Sequence, residues 1–335
     1  MHVCSALPSR HAFLGGWVFC NQSGCDSILR MITFRSDAPI HDRDLLIADI
    51  HQICITHYDN HGIRDAILNK YTNTGPVTLL TLIGYRDEHP ICMAIIEKST
   101  ASYGNFILHT LREDDRDAID ALIQISASHP LCSNSFMELI QYYPNNPFRK
   151  AFLDHNIMEL PRKRLVRHLD TPIAYPRWRG DLSFRPVDSD TFDIVAEIST
   201  AGHRHSQDYP GYADLENPKN RAALEAAVFG ELYGPVLRPA TLLLLVSGKP
   251  VGYICYVGVA CWGEPQIPWI FDISVHPDYH GRGYGKHLLQ YTLALLQDMK
   301  YPMVGLSVTT TNHNAIALYE NMNFLEVEYF SEFRL

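Results

Sequence analysis

The sequence predicts an α/β (α+β) chain of two tandem, similarly built domains, each a mixed, mostly antiparallel twisted sheet flanked by helices. Three observations carry that expectation. The first is bulk: 46% of the 335 residues are apolar and 19% charged, enough to pack a core in a chain long enough for two domains. The second is the interleaving of short β-rich runs with segments of helical period. The third is an internal repeat in which three segments recur in the same order. Ile32-Thr-Phe-Arg35 is echoed by Leu182-Ser-Phe-Arg185, and Pro76–Ile83 by Pro239–Val246. Asn145–Phe152, followed by Asn156-Ile157, is echoed by Asn312–Tyr319, followed by Asn323-Phe324.

Residues 1–30 lack periodicity, and glycines interrupt their one apolar stretch, Ala12–Cys20. A signal peptide wants a basic start and a cleaner apolar core. The segment reads as a disordered tail, with translation from Met31 as the alternative. A first domain then spans 31–169: a strand at 32–35, a helical segment, a hairpin of two apolar strands from Pro76 onward, and a closing strand at 158–168. Pro172, Pro176 and Gly180, without periodicity, mark 170–181 as a linker. The second domain, 182–335, opens with a strand at 182–186 and a helix near 189–201, then a stretch rich in His, Tyr and Pro and a helix near 217–231. Strands follow at 240–247, 250–260 and 267–275, then a helix at 283–299, a strand at 303–308, a helix at 312–322 and a closing strand.

The balance of 28 Lys and Arg against 37 Asp and Glu, a net charge of −9, argues against a nucleic-acid binder, which needs a basic face. No run approaches the length of a membrane span, so no membrane partner is expected. The eight cysteines include no CxxC, and Cys92 and Cys255 sit inside apolar runs, which suits reduced thiols and a cytoplasmic protein. No His or Cys spacing suggests a metal. The oligomeric state stays open.

The sharpest signal is Ile270–Leu289. An apolar strand ends at Val275, Pro277 stops it, and Gly281, Gly283 and Gly285 lead into an amphipathic helix, with Arg282 and Lys286 beside them. Glycines at such a turn let backbone N–H groups approach an anion. His280-Gly-Arg-Gly283-Tyr-Gly285 resembles the pyrophosphate loop of the GCN5-related N-acetyltransferase (GNAT) family, with His280 at the place of the usual Gln or Arg. Asn312, Ala315, Leu318-Tyr319 and Asn323-Phe324 resemble a second motif of that family, with Asn323 replacing a glycine. Together they cover residues 182–335. The resemblance implies two tandem GNAT-like domains, with acetyl-CoA as co-substrate and no metal. It implies cofactor contacts from Ile273, Ser274, Val275, His280, Gly281, Arg282, Gly283, Tyr284, Gly285, Lys286 and Asn312.

The activity it implies is direct transfer of acetyl to a primary amine, of a small molecule or a peptide, in a ternary complex. A CoA-binding sensor or scaffold without turnover, or transfer of a larger acyl group, is the alternative. Tyr319 is the general-acid candidate, its other reading being a core tyrosine beside Ala315 and Leu318. The base is open among Asp272, which needs a strand bulge to turn inward, Glu264, His276 and a water relay. The acceptor site is expected along 202–214, with His203, His205, Asp208 and Tyr209 as contacts. The first half lacks the glycine loop, carries Glu113, Asp114, Asp115, Asp117 and Asp120 in its place, and has Phe152 where Tyr319 stands. It is expected to be a degenerate copy that keeps the fold without the cofactor.

Overall fold

The structure is a computed structural model that describes residues 17–19, 32–57, 78–98, 103–133, 135–140, 146–177, 180–209, 213–261 and 264–335. Met31, Asn145 and most of the expected N-terminal tail lie outside them. Of that tail, Trp17–Phe19 (β1) pairs antiparallel with Ile32–Phe34.

The first half runs β2 (Ile32–Arg35), α1 (Ile40–His57), β3 (Thr78–Arg86), β4 (His89–Lys98) and β5 (Tyr103–Thr110). Then come α2 (Arg116–Ser128), β6 (Phe136–Leu139), α3 (Pro147–Asp154) and β7 (Met158–His168). The second half repeats the series as β8 (Leu182–Pro186), α4 (Phe192–Arg204), α5 (Pro218–Phe229), β9 (Leu242–Val246) and β10 (Lys249–Cys261). It continues with β11 (Glu264–Val275), α6 (Tyr284–Asp298), β12 (Met303–Thr309), α7 (His313–Glu320) and β13 (Leu325–Arg334).

The repeat extends to local chemistry. The β3–β4 and β9–β10 hairpins each turn on two residues of positive φ, Asp87-Glu88 and Ser247-Gly248, as the right-handed strand twist demands. Helices α3 and α7 both end at an asparagine in the left-handed conformation, Asn156 (φ 57) and Asn323 (φ 58). Their starts differ by one residue from the sequence match. Pro147 takes the first helical position, so Asn146 and not Asn145 caps α3, as Asn312 caps α7.

Among the described residues all strands join one sheet, in the order β1-β2-β3-β4-β5-β6-β13-β7-β12-β11-β10-β9-β8. The sequence did not reveal this arrangement. Each half surrenders its closing strand to the other: β7 pairs antiparallel with β12 from Met303↔His168 to Thr309↔Arg162, while β13 pairs with β6. The two exchanged strands also pair with each other, from Leu325↔Val166 to Arg334↔Met158. Charge favours the exchange, because β7 is basic and β13 acidic. Arg164 reaches Glu138 of β6 at 2.7 Å and Glu328 of β13 at 2.8 Å, and Arg162 reaches Glu332 at 3.3 Å. Each core therefore contains the other half's strand: Phe333 belongs to the first, Leu165 and Leu169 to the second.

The segment expected as a linker is fastened along α6. Gln297 bonds the carbonyls of Leu169 and Thr171 and the N–H of Ile173, and Tyr175 donates to Asp298 at 2.6 Å. In the second half α6 and α7 cover one sheet face, on Leu244, Ile254, Tyr256 and Ile270. The other face, on Leu243, Tyr253, Cys255 and Val257, packs against residues of α4 and α5. No helix of the described residues is long and apolar enough to cross a membrane.

Candidate active site

The site is built around a parting of two parallel strands. Strand β11 pairs with β12 only at Trp269↔Gly305 and Ile270↔Leu306, yet it stays paired with β10 up to Val275. Beyond Ile270 the two strands diverge and leave a wedge between residues 271–275 and 307–309. The far side of β12 is held by β7, so a strand of the first half forms that wall.

A bulge sits at the start of the wedge. Cys255 faces Asp272 and Tyr256 faces Ile270, so Phe271 is the extra residue. Phe271 and Asp272 consequently lie on one face of the sheet, toward α4, where strict alternation would have separated them. Ile270, Ile273 and Val275 pack on the other face. The matching strand of the first half has no such bulge: β4 and β5 pair without a register shift from Cys92↔Thr110 to Lys98↔Gly104.

Asp272 is buried and accepts hydrogen bonds from Ser199 Oγ at 2.8 Å, from the Tyr253 hydroxyl, and from His203 Nε2 at 2.9 Å. Burial alone would raise its pKa. His203, the nearby Arg221 guanidinium and the Tyr253 hydroxyl outweigh that, and the carboxyl is held below the usual carboxylate range. Bonded on three sides, Asp272, one of the candidates for the base, is placed as an anchor for the side chains around it. Beside it Arg221 and Glu225 form a buried pair at 2.7 Å within α5.

Past Val275 the chain makes a short turn, Pro277–Tyr279, and reaches the glycines. Gly281 and Gly283 have φ of +72° and +78°, and a Cβ on either would meet open space. The vacant space rules out packing as the reason for glycine; the left-handed backbone requires it. Gly283 caps α6 without any side-chain bond, so the first N–H groups of that helix have no capping side chain. Arg282 and Lys286 are exposed beside them. These features fit an anionic pyrophosphate.

Other residues expected at the cofactor lie differently. His280 bonds the Val275 carbonyl through Nε2 at 2.7 Å and closes the loop. The Tyr284 side chain is in the core with Leu288, so its backbone alone faces the loop. Ser274 turns its hydroxyl to the Ile198 carbonyl of α4. Asn312 uses Oδ1 to cap α7 at the N–H of Ala315 and donates through Nδ2 to Asp208 at 2.5 Å.

Asp208, expected at the acceptor, is likewise buried. It accepts the N–H of Thr309 at 3.2 Å as well as the Asn312 amide, so the segment after α4 is fastened across the mouth of the wedge. His205 is exposed at the end of α4. Tyr209 and His203 line a cleft with Arg204, Glu216 and Arg221, while Pro210, Gly211 and Tyr212 lie outside the described residues. Tyr319 is buried on α7. Its burial, and then the carboxylates of Asp208 and Asp272, push its pKa up, so the hydroxyl keeps its proton at neutral pH.

Residues 209–324 match the acetyltransferase (GNAT) family model. That segment carries a GNAT-family domain, and the fold of the whole chain is that of two such units in tandem. A GCN5-related N-acetyltransferase from Sphaerobacter thermophilus superposes with a TM-score of 0.58 at 16% identity, covering 91% of this chain and 95% of that one. A tandem GNAT protein from the clavulanic acid biosynthesis pathway gives 0.53 at 11% identity, covering 90% and 97%. These two likenesses concern the fold. The [ribosomal protein bS18]-alanine N-acetyltransferase of Escherichia coli is 39% identical over 57 residues, which are 17% of this chain and 38% of that relative's length.

Proposed function

We propose that the second half is an acetyl-CoA-dependent N-acetyltransferase that passes acetyl directly to a primary amine held in the same cleft. The observation that carries this reading is the wedge beyond Ile270, with the glycine-capped start of α6 at the end of its β11 side. The backbone of Ile273 and Val275 would hold the pantetheine arm, and the N–H groups over 281–286 the pyrophosphate, with Arg282 and Lys286 adding charge. Bound there, acetyl-CoA supplies an activated thioester. Tyr319, kept protonated by its burial and by the charges of Asp208 and Asp272, is the donor for the departing sulfur. A backbone N–H near Val275 would steady the developing oxyanion, and co-binding of the two reactants lowers the entropic barrier.

The first half is proposed to keep the fold without the cofactor. Its contribution is β7, which walls the wedge. The acceptor is a small-molecule or peptide amine, an α-amine of a peptide being one class to try, given the E. coli relative, and the setting is the cytoplasm. The test is acetyl-CoA consumption across a panel holding an alanine-initiated peptide, spermidine, glucosamine and tyramine. Release of free CoA with at least one of them is expected. None with any, alongside no CoA binding, would sink the reading.

A further inference from the structure

We propose that His203 takes the proton from the acceptor amine and that Asp272 is its positioning residue. This deepens the acetyltransferase reading and rests on it.

The geometry comes from three neighbours. Ser199 and His203 are one helical turn apart on α4, so both reach the same carboxylate. Gly202, between them and β11, has no side chain; a Cβ there would collide with Ser274 Oγ and crowd the Val275 carbonyl. The end of α4 can therefore press on the very strand that borders the wedge. The bulge at Phe271 then turns Asp272 toward α4 to receive the imidazole.

An imidazole that donates Nε2–H to a carboxylate has its basic lone pair on Nδ1. Asp272 fixes that tautomer and compensates the charge the ring acquires when it takes a proton, while Ser199 and Tyr253 hold the carboxylate still. The side chain of His203 is 12% exposed, and it lines the cleft with Thr200, Arg204, Tyr209, Glu216 and Arg221. One ring thus joins the cleft to the edge of the wedge. Tyr319 stands on the opposite side, on α7, and feels the Asp272 charge. Proton acceptor and proton donor come from helices on opposite faces of the sheet.

The step balances on these two groups. A neutral amine's lone pair forms the N–C bond to the acetyl carbonyl as the C–S bond breaks and its electrons go to sulfur. His203 takes the N–H proton and Tyr319 gives one to sulfur. Return of one proton from the imidazolium to the tyrosinate through solvent restores both.

Among the described residues, the titratable groups around His203 and Asp272 include Tyr253 and Cys255 from β10, Arg221 and Glu225 from α5, Arg204 from α4, and Tyr209 and Glu216 from the segment that follows. In the full chain, His203→Gln is expected to lower kcat by about 10²–10⁴-fold, with CoA affinity by calorimetry and KM for acetyl-CoA unchanged. The acidic limb of its pH–rate profile should disappear. Asp272→Asn should lower kcat with KM for acetyl-CoA unchanged, because the ring loses the carboxylate that sets its tautomer and compensates its charge. Independently of turnover, ¹⁵N spectra of the His203 ring at neutral pH should show the Nε2–H tautomer. An Nδ1–H ring, or a His203→Gln rate within threefold of the unaltered chain with the same pH profile, would overturn the inference alone. Absence of turnover by the unaltered chain with every amine of the panel would overturn the transferase reading, and this role with it.

Discussion

Asp115 and Arg86 are joined at the start of α2, the first half's counterpart of α6. Asp115 caps α2 at the N–H of Ala118, 3.1 Å away, and takes two bonds from Arg86 at 2.8 and 2.9 Å. The chain's own carboxylate stands at the N-terminus of the helix that, in the second half, starts at a bare Gly283. Burial works against that charge, but the Arg86 bonds prevail and hold the Asp115 pKa below its ordinary value.

One CoA site per chain follows from that contrast. Calorimetry should give a stoichiometry of one, and Gly283→Glu should abolish it by placing a carboxylate and a strained backbone where the anion binds. Asp115→Ala should leave the stoichiometry at one, since the first half also lacks the bulge. A second site in the unaltered chain would count against a degenerate first half.

Tyr319→Phe separates donor from packing. Phenylalanine keeps the ring that meets Phe324 edge-on at 5.6 Å, so fold and CoA affinity should persist. Turnover should fall by about 10²–10⁴-fold if the hydroxyl protonates sulfur. Full activity in steady-state assays would return Tyr319 to the role of a core residue.

Much of the fold was legible because each element carries its own signal: alternation at 32–35, glycines before α6, asparagines at both ends of α7. Which strand pairs with which was not. β7 and β13 hold equivalent places in their halves, so exchanging them preserves every local pattern. Only the basic Arg162-Lys163-Arg164 against Glu326, Glu328 and Glu332 hinted at it. In the site, Tyr284 was expected at the cofactor, although its spacing to Leu288 puts its side chain on the core face of α6. The His203–Asp272 contact was not, because it depends on a one-residue bulge that reverses the side from which Asp272 projects.

The strand exchange makes the C-terminus matter to the N-terminal core. Phe333 is fully buried and stacks on Phe152 with ring centroids 4.3 Å apart. Phe333→Ala should cost about 3–5 kcal/mol, the usual range for a truncated core aromatic. Urea unfolding followed by circular dichroism should show one transition at a lower midpoint, since neither core is complete without the other half's strand. Two separated transitions, or a loss below about 1 kcal/mol, which is under the lower end of that range, would contradict the shared packing.

Asp272 should also leave its mark on acid stability. Its folded pKa lies below the unfolded value of about 3.9. For a depressed carboxyl the stabilisation is fully present above the unfolded pKa. It is lost as pH falls through that value toward the folded one, because the unfolded chain then binds the proton first. Thermal melts of the unaltered chain and of Asp272→Asn should differ most at pH 7 and 5, and the gap should begin to narrow as pH falls from about 4 to 3, the asparagine variant being the less stable at neutral pH. Replacing the carboxylate also strips His203 and Arg221 of their shared counter-charge, so the loss at pH 7 should exceed that of Ser199→Ala, which removes one neutral donor. A gap between the two melting curves that stays constant from pH 7 to pH 3 would mean that Asp272 is not the charged centre of this network.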